Sequence, residues 1–379
     1  MFELDRYHIY SLTPLLMKYI LTRIYFLFLF ISITVFSQDT AHVPPLVFSG
    51  YADAYYASYS DSVGMGNFQK FPSISPRSQQ FGLNIAMLTA KYTTDNLRGV
   101  ITLHYGDIPA STWPGSMNYI QEANIGVMLC KKLWLDGGFF RTHFGTEGLL
   151  PKENICSSVS VCTYYEPYFE AGFKLNYLPS DKLAINLYVL NGYGIYVDNN
   201  YKKSIGTLIN YTFNDKFNVG YSNYIGDESP IGDSVDHLRI HQNLFVNGSF
   251  GKFKFQVGGD FCMQKNSMIS DPKKSASMYA GVASVKYQCC SKFAVYARGE
   301  IFDDPNGFMG GIIFDTDSMS TGYKLSGATF GVEYKPIDNA YIRLEARDLM
   351  MDSKQEIFWW DGKARSSRME MMVHMGISF

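Results

Sequence analysis

The last twelve residues most constrain what this chain can fold into. Met369, Met371, Val373, Met375, Ile377 and Phe379 alternate with Arg368, Glu370, Met372, His374, Gly376 and Ser378. A period of two places the two sets on opposite faces of a β-strand. One face suits hydrocarbon, the other suits water, and the chain stops on an aromatic residue. Similar segments recur from about Phe48 onward, with no helical stretch between them. In a bilayer every backbone N–H and C=O must be satisfied internally, so a spanning sheet has to close on itself. The expected fold is therefore all-β: a closed antiparallel transmembrane β-barrel.

Alternation predicts about sixteen strands, near 46–59, 80–93, 96–106, 118–129, 132–143, 165–178, 181–192, 203–213, 216–226, 237–249, 252–264, 278–288, 291–303, 323–335, 338–349 and 367–379. Seven tight turns, such as Thr94-Asp95, Asn214-Asp215 and Pro336-Ile337, interleave with eight longer polar connections at 60–79, 107–117, 144–164, 193–202, 227–236, 265–277, 304–322 and 350–366. An even-stranded barrel with both termini on one side requires this rhythm, and bacterial barrels keep their short turns in the periplasm. Both termini are expected there, with strand 46–59 pairing with strand 367–379. Residues 80–93 fit either phase. Near the turns Tyr177, Tyr211, Phe213, Phe217, Phe253, Tyr287, Phe293, Tyr334 and Phe379 fall on the apolar face, as an aromatic girdle at one interface should.

Composition agrees. Hydrophobic residues are 46% and aromatics 16%, yet the mean hydropathy is only −0.09. A helical membrane protein needs apolar runs of about 20 residues, and the longest here, Ile24 to Phe36, has 13. That run follows Lys18 and Arg23 and ends at Val35-Phe36-Ser37, which reads as a secretory signal peptide cleaved after Ser37. Met17 is the natural start, so residues 1–37 are an upstream extension plus signal peptide and residues 38–379 the barrel. Removing Glu3, Asp5, Arg6, Lys18 and Arg23, which sum to +1, takes the formal charge from −2 to −3. That gives no electrostatic case for a nucleic-acid partner.

With the strands placed, the chain resembles the putative β-barrel porin-2 (OmpL-like) family of outer-membrane proteins. The likeness rests on Ser49-Gly50-Tyr51-Ala52-Asp53-Ala54-Tyr55-Tyr56, Gly145-Thr146-Glu147, Glu166-Pro167 with Ala171-Gly172, Leu190-Asn191-Gly192, Arg298-Gly299-Glu300 and Leu344-Glu345-Ala346-Arg347-Asp348. It covers nearly the whole mature chain. It implies a pore in the bacterial outer membrane and supplies no catalytic residues, cofactor or substrate.

The conspicuous inward chemistry is a charged stripe: Arg298 and Glu300, then Glu333 and Lys335, then Arg343, Glu345 and Arg347, then Arg368 and Glu370. It reads as a polarised pore wall that selects small hydrophilic solutes, or as a salt-bridge ladder that stiffens the wall. The two are compatible. A turn centred near Asp338 sets Glu333 opposite Arg343, a pair worth about 0.2–1 kcal/mol and less where water screens it. Substituting Glu333 should then alter ion selectivity more than stability. The loop at 144–164, with Glu147, Lys152 and Glu153, is the candidate constriction. Inward faces are expected to be rich in Asn, Ser, Gly, Lys, Arg and Glu rather than Leu or Phe. Phe379 is the expected signal for the barrel-assembly machinery.

Enzymatic and metal chemistry find little support in the sequence. No histidine sits in a recognisable Ser/His or Asp/His pattern, and His237 and His241, four apart on one strand, lie about 13 Å apart, too far to share a metal. The six cysteines, Cys130, Cys156, Cys162, Cys262, Cys289 and Cys290, do not have metal-site spacing, although Cys156 and Cys162 could close a disulfide within one loop. From Gln38 to the first strand only about ten residues remain, too few for a transporter's plug domain, and about sixteen strands fall short of the roughly twenty-two such transporters use. The expected function is passive diffusion of small hydrophilic solutes or ions, the partners being outer-membrane lipids, those solutes and further copies of the chain. The alternative is a non-conducting barrel serving as adhesin or scaffold.

Overall fold

Sixteen strands form one continuous wall in the computed structural model, which describes residues 45–61, 64 and 66–379. The signal peptide expected within residues 1–37 lies outside the described residues. The strands are β1 (Leu46–Tyr59), β2 (Gln80–Thr93), β3 (Leu97–Tyr105), β4 (Ile120–Cys130), β5 (Leu133–Arg141), β6 (Phe169–Ser180), β7 (Leu183–Leu190), β8 (Ser204–Asn214), β9 (Phe217–Asp227), β10 (Leu238–Phe250), β11 (Phe253–Gln264), β12 (Ala276–Gln288), β13 (Phe293–Asp303), β14 (Lys324–Tyr334), β15 (Ala340–Met351) and β16 (Ser367–Ser378). Each pairs antiparallel with the next, and β16 closes onto β1 with Tyr51 opposite Ser378 and Tyr59 opposite Glu370. Closure leaves no unpaired edge, which is what hydrocarbon demands of a sheet. The Gly50 N–H donates to the Phe379 carbonyl at 2.7 Å and the Phe379 N–H to the Gly50 carbonyl at 3.1 Å, so the ends of the wall meet on one rim.

The outer face follows the sequence pattern. Met369, Met371, Val373, Met375, Ile377 and Phe379 are exposed, while Arg368, Glu370, Met372 and His374 point inward and are buried. At the short-turn rim the aromatic rings touch across strands: Phe253 with Tyr287 at 4.9 Å, Phe293 with Tyr334 at 4.8 Å and Phe213 with Phe217 at 5.2 Å between centroids. Strand β2 explains its own ambiguity. Ile85 pairs with Asp53 and Leu83 with Ala54, so Asn84 is the extra residue of a β-bulge. Phe81 and Leu83 face outward before the bulge, Leu88 and Tyr92 after it, and the phase switches from odd to even.

The long connections fold inward. Besides two small hairpins and the short helices α1 (Asp107–Thr112) and α2 (Val161–Tyr165), they carry a large share of the buried apolar residues. Among the described residues no helix is long and apolar enough to cross a membrane. The polar lining expected for the inner face holds only in part. Toward the long-loop rim Cys262, Met278, Ala280, Phe302, Leu325, Leu349 and Met351 face inward and pack under Phe71, Val161, Cys162 and Phe358 from three connections. Sixteen strands enclose more space than wall side chains fill, and loop residues take up the remainder as a second, internal core.

Candidate functional site

Between β5 and β6, residues 142–168 drop into the barrel, and the charged stripe holds them there. The rungs follow the order of the loop. Arg343 donates to the carbonyls of Pro151 at 2.8 Å, Asn154 at 3.2 Å and Cys156 at 3.2 Å. Glu345 accepts from the backbone N–H of Ser157 at 2.7 Å and of Ser158 at 3.1 Å, from the Ser158 hydroxyl and from the Tyr296 hydroxyl at 3.1 Å. Arg298 donates to the Ser158 carbonyl at 2.6 Å and to its Oγ at 2.9 Å, and Glu300 accepts from the Val161 N–H at 2.8 Å. A loop buried without such partners would carry orphaned backbone groups, each costing about 1–3 kcal/mol.

The same side chains form a continuous ladder of alternating charge. Glu147 meets Arg298 at 3.2 Å, Arg298 meets Glu300 at 3.3 Å, Glu300 meets Arg347 at 2.7 Å and Arg347 meets Glu370 at 3.4 Å. Arg368 pairs with Glu370 and reaches Asp61 at 3.6 Å. The ladder thus runs from one in-folded loop to another, across β13, β15 and β16. Glu333, opposite Arg343 in the predicted register, accepts from Arg343 Nε at 2.8 Å and from Lys286. It is only 1% exposed, so water does not screen this pair as the sequence reading supposed.

The stripe therefore divides. Arg298, Glu300, Glu333, Arg343, Glu345, Arg347, Arg368 and Glu370 are inward and buried, whereas Lys335 is half-buried. Lys335, Lys152 and Glu153 border a cavity of about 760 Å³ beneath the loop at the short-turn rim, with Lys216, Lys254, Lys286 and Asp338 also on its wall. Lys152 sits 4.5 Å over the Tyr51 ring, and Glu153 takes a bidentate pair from Arg141 at 2.8 and 2.5 Å. Lys254 and Lys335 have no ion-pair partner among the described residues. Asp61, Lys286 and Tyr296 belong to this machinery and went unnoticed in the sequence. For Lys286 and Tyr296 the available signal was their inward phase beside the stripe; a loop acid such as Asp61 carries none.

Of the four buried histidines among the described residues, His104 has no hydrogen-bond partner and the other three gain a carboxylate. His143 Nδ1 lies 2.7 Å from Glu170, His241 Nε2 3.2 Å from Asp260 and His374 Nδ1 3.1 Å from Asp53. Around His374 the sequence expectation fails, because Ser75 Oγ stands 3.4 Å from Nε2 and completes a Ser–His–Asp order. All three residues are wholly buried, and Asn84 donates to both Asp53 and Ser75. A nucleophile must reach its substrate. Here the hydroxyl belongs to a closed network that ties the loop at 60–79 to the wall. Cys156 and Cys162 are buried free thiols, not a disulfide. Burial, with the Asp260 carboxylate alongside, pushes Glu166 well above the usual carboxylate range.

Among curated proteins no relative matches the sequence. Among solved structures, the outer membrane channel DcaP of Acinetobacter baumannii superposes with a TM-score of 0.57 at 11% identity, covering 88% of this chain and 97% of that one. OmpT, an outer-membrane protein of Vibrio cholerae, gives 0.53 at 13% identity over 91% of this chain and 100% of its own. A trimer form of that protein, folded in vitro, gives 0.51 at 13% identity over 88% and 99%. At such identities the shared property is the fold. Residues 45–379 match the family model described as "Putative beta-barrel porin-2, OmpL-like", and the chain belongs to that family of porin-like channels of the bacterial outer membrane.

Proposed function

We propose that the protein passes small hydrophilic solutes across the outer membrane by passive diffusion, without catalysis, through a lumen narrowed by the loop at 142–168. The observation that carries this is the cavity of about 760 Å³ beneath that loop, walled by charged side chains and continuous with the short-turn rim. Its border holds six basic residues (Lys152, Lys216, Lys254, Lys286, Lys335 and Arg343) against four acidic ones (Glu153, Asp215, Glu333 and Asp338), a surplus of two positive charges. Such a vestibule concentrates anions and repels cations, so anionic solutes are favoured. In this reading the short turns and both termini face the periplasm. The barrel-assembly machinery reads Phe379, and copies associate through part of the apolar outer face.

A second reading draws on the apolar core at the long-loop rim, where Phe71, Phe302, Leu325, Leu349 and Phe358 pack together. That packing favours a barrel closed at rest, which is also what an adhesin or scaffold would present. Purified protein in planar bilayers separates the two. Stepwise conductance with an anion-biased reversal potential supports the channel. Folded barrels that stay silent, both intact and with residues 149–163 replaced by a short Gly/Ser linker, would leave the scaffold in front.

A further inference from the structure

We propose that Cys162, Glu166, Asp260 and His241 form a buried site for one Zn²⁺ ion, which fastens the in-folded loop to the β10–β11 wall. Cys162 lies on α2 and Glu166 just beyond its end, whereas His241 and Asp260 stand on adjacent wall strands. One ligand atom each from Cys162, Glu166 and Asp260 lie within 4.8 Å of one another, and all three residues are buried. The fourth member is the independent pointer. His241 is wholly buried, its Nδ1 meets the Tyr193 hydroxyl at 3.0 Å, and its Nε2 has no hydrogen-bond partner. That nitrogen is 3.2 Å from Asp260 Oδ1, yet not aligned for a hydrogen bond with it.

The donor set decides the ion. One thiolate, one imidazole and two carboxylate oxygens suit borderline-soft, tetrahedral Zn²⁺, whereas Ca²⁺ and Mg²⁺ want oxygen alone. Ligands at about 2.0–2.3 Å from a tetrahedral Zn²⁺ stand roughly 3.3–3.8 Å apart, so Cys162, Glu166 and Asp260 need to close in by about an ångström and His241, which lies outside their 4.8 Å group, by more. Gly145 makes room: its φ is +99°, and a Cβ there would come within 2.3 Å of Glu166 Oε2. Tyr193 at Nδ1 is the outer partner that orients a ligating imidazole. Binding displaces the Cys162 thiol proton, and the proton of the buried Glu166 carboxyl, to solvent, with no change of oxidation state. The sequence reading assigned no metal because the ligands come from three separate segments and share no spacing.

The test uses the full chain refolded in detergent, with Cys130, Cys289 and Cys290 changed to serine so that the exposed thiols contribute nothing. Refolding with Zn²⁺, then desalting, should leave one Zn²⁺ per folded barrel by elemental analysis, undiminished by a large excess of Mg²⁺ or Ca²⁺. Refolding with Co²⁺ instead should give the near-ultraviolet thiolate-to-metal absorption of a Cys ligand. Cys162→Ser and Glu166→Gln should each lower the retained Zn²⁺ at least tenfold while the heat-modifiable gel shift of the folded barrel persists, and Cys162→Ser should abolish the Co²⁺ band. Folded barrels that retain no Zn²⁺, or retention that survives both substitutions, would overturn the proposal. If one variant fails to fold, the other variant and the Co²⁺ spectrum of the parent still decide it.

Discussion

Replacing Glu345 by glutamine isolates the loop's attachment from the integrity of the wall. The carboxylate accepts from four donors: Ser157 N–H, Ser158 N–H, the Ser158 hydroxyl and the Tyr296 hydroxyl. An amide of the same size keeps one accepting oxygen and turns the other position into a donor, so two of these bonds are lost. At about 1–3 kcal/mol for each stranded buried partner, the docked segment loses roughly 2–6 kcal/mol. With a tenfold change for each 1.4 kcal/mol, its docked-to-undocked ratio falls by about 30- to 10⁴-fold. Arg343 and Glu300 still hold the loop at Pro151, Asn154, Cys156 and Val161, and Arg298 still holds the Ser158 carbonyl, so Ser157 and Ser158 loosen locally and the loop stays in the lumen. The wall's backbone ladder is untouched. Single-channel recording should therefore show larger, noisier steps, while the heat-modifiable gel shift stays at its parent temperature. Ser158→Ala removes only the hydroxyl between Arg298 and Glu345 and should move conductance the same way by less. Folded Glu345→Gln barrels with the parent's step size and noise would refute the claim that this loop sets the passage.

Three further outcomes follow from the same geometry. Glu333→Gln leaves Lys286 and Arg343 without their shared carboxylate, which should shift the reversal potential in a salt gradient toward anions; because the site is buried, removing one partner should also cost about 3–5 kcal/mol of stability. An unchanged reversal potential would place Glu333 off the permeation route. Lys254→Glu combined with Lys335→Glu turns a surplus of two positive charges in the vestibule into two negative, and should invert selectivity from anions to cations; no change in sign would show that the vestibule does not select. Deleting Phe379, which is 73% exposed on the outer face, should lower the folded fraction inserted in cells, and normal assembly would put the insertion signal elsewhere.

The wall was legible in the sequence because its rule is local. Hydrocarbon outside and strand geometry inside leave a period of two, and the predicted β1 and β2 agree with the observed Leu46–Tyr59 and Gln80–Thr93 at both ends. Where the rule broke, a physical cause stood behind it: the extra Asn84 in β2 shifts the phase mid-strand, which is why neither assignment of its faces could win. The Glu333–Arg343 pair was also within reach, since a hairpin's turn fixes its register. Its burial was not, because that depends on a loop arriving from 180 residues earlier in the chain.

The contents of the lumen are where local reasoning stops. A charged residue in inward phase has the same sequence signature whether it meets water or a folded loop. The difference lies in the partner, and here the partners are backbone groups at 151–161, which carry no side-chain signal. The motifs behind the family likeness nevertheless mark this machinery. Gly145-Thr146-Glu147 supplies the glycine that clears Glu166 and the acid that meets Arg298. Arg298-Gly299-Glu300 and Glu345-Ala346-Arg347 supply most of the rungs. Buried ion pairs add little net stability over a well-packed apolar core, so stiffening the wall is a poor reason to line it with seven alternating charges. Guanidinium and carboxylate groups do what leucine cannot: they satisfy the polar backbone of a loop taken out of water. The ladder therefore determines where the loop sits, and through the loop the shape of the space beneath it.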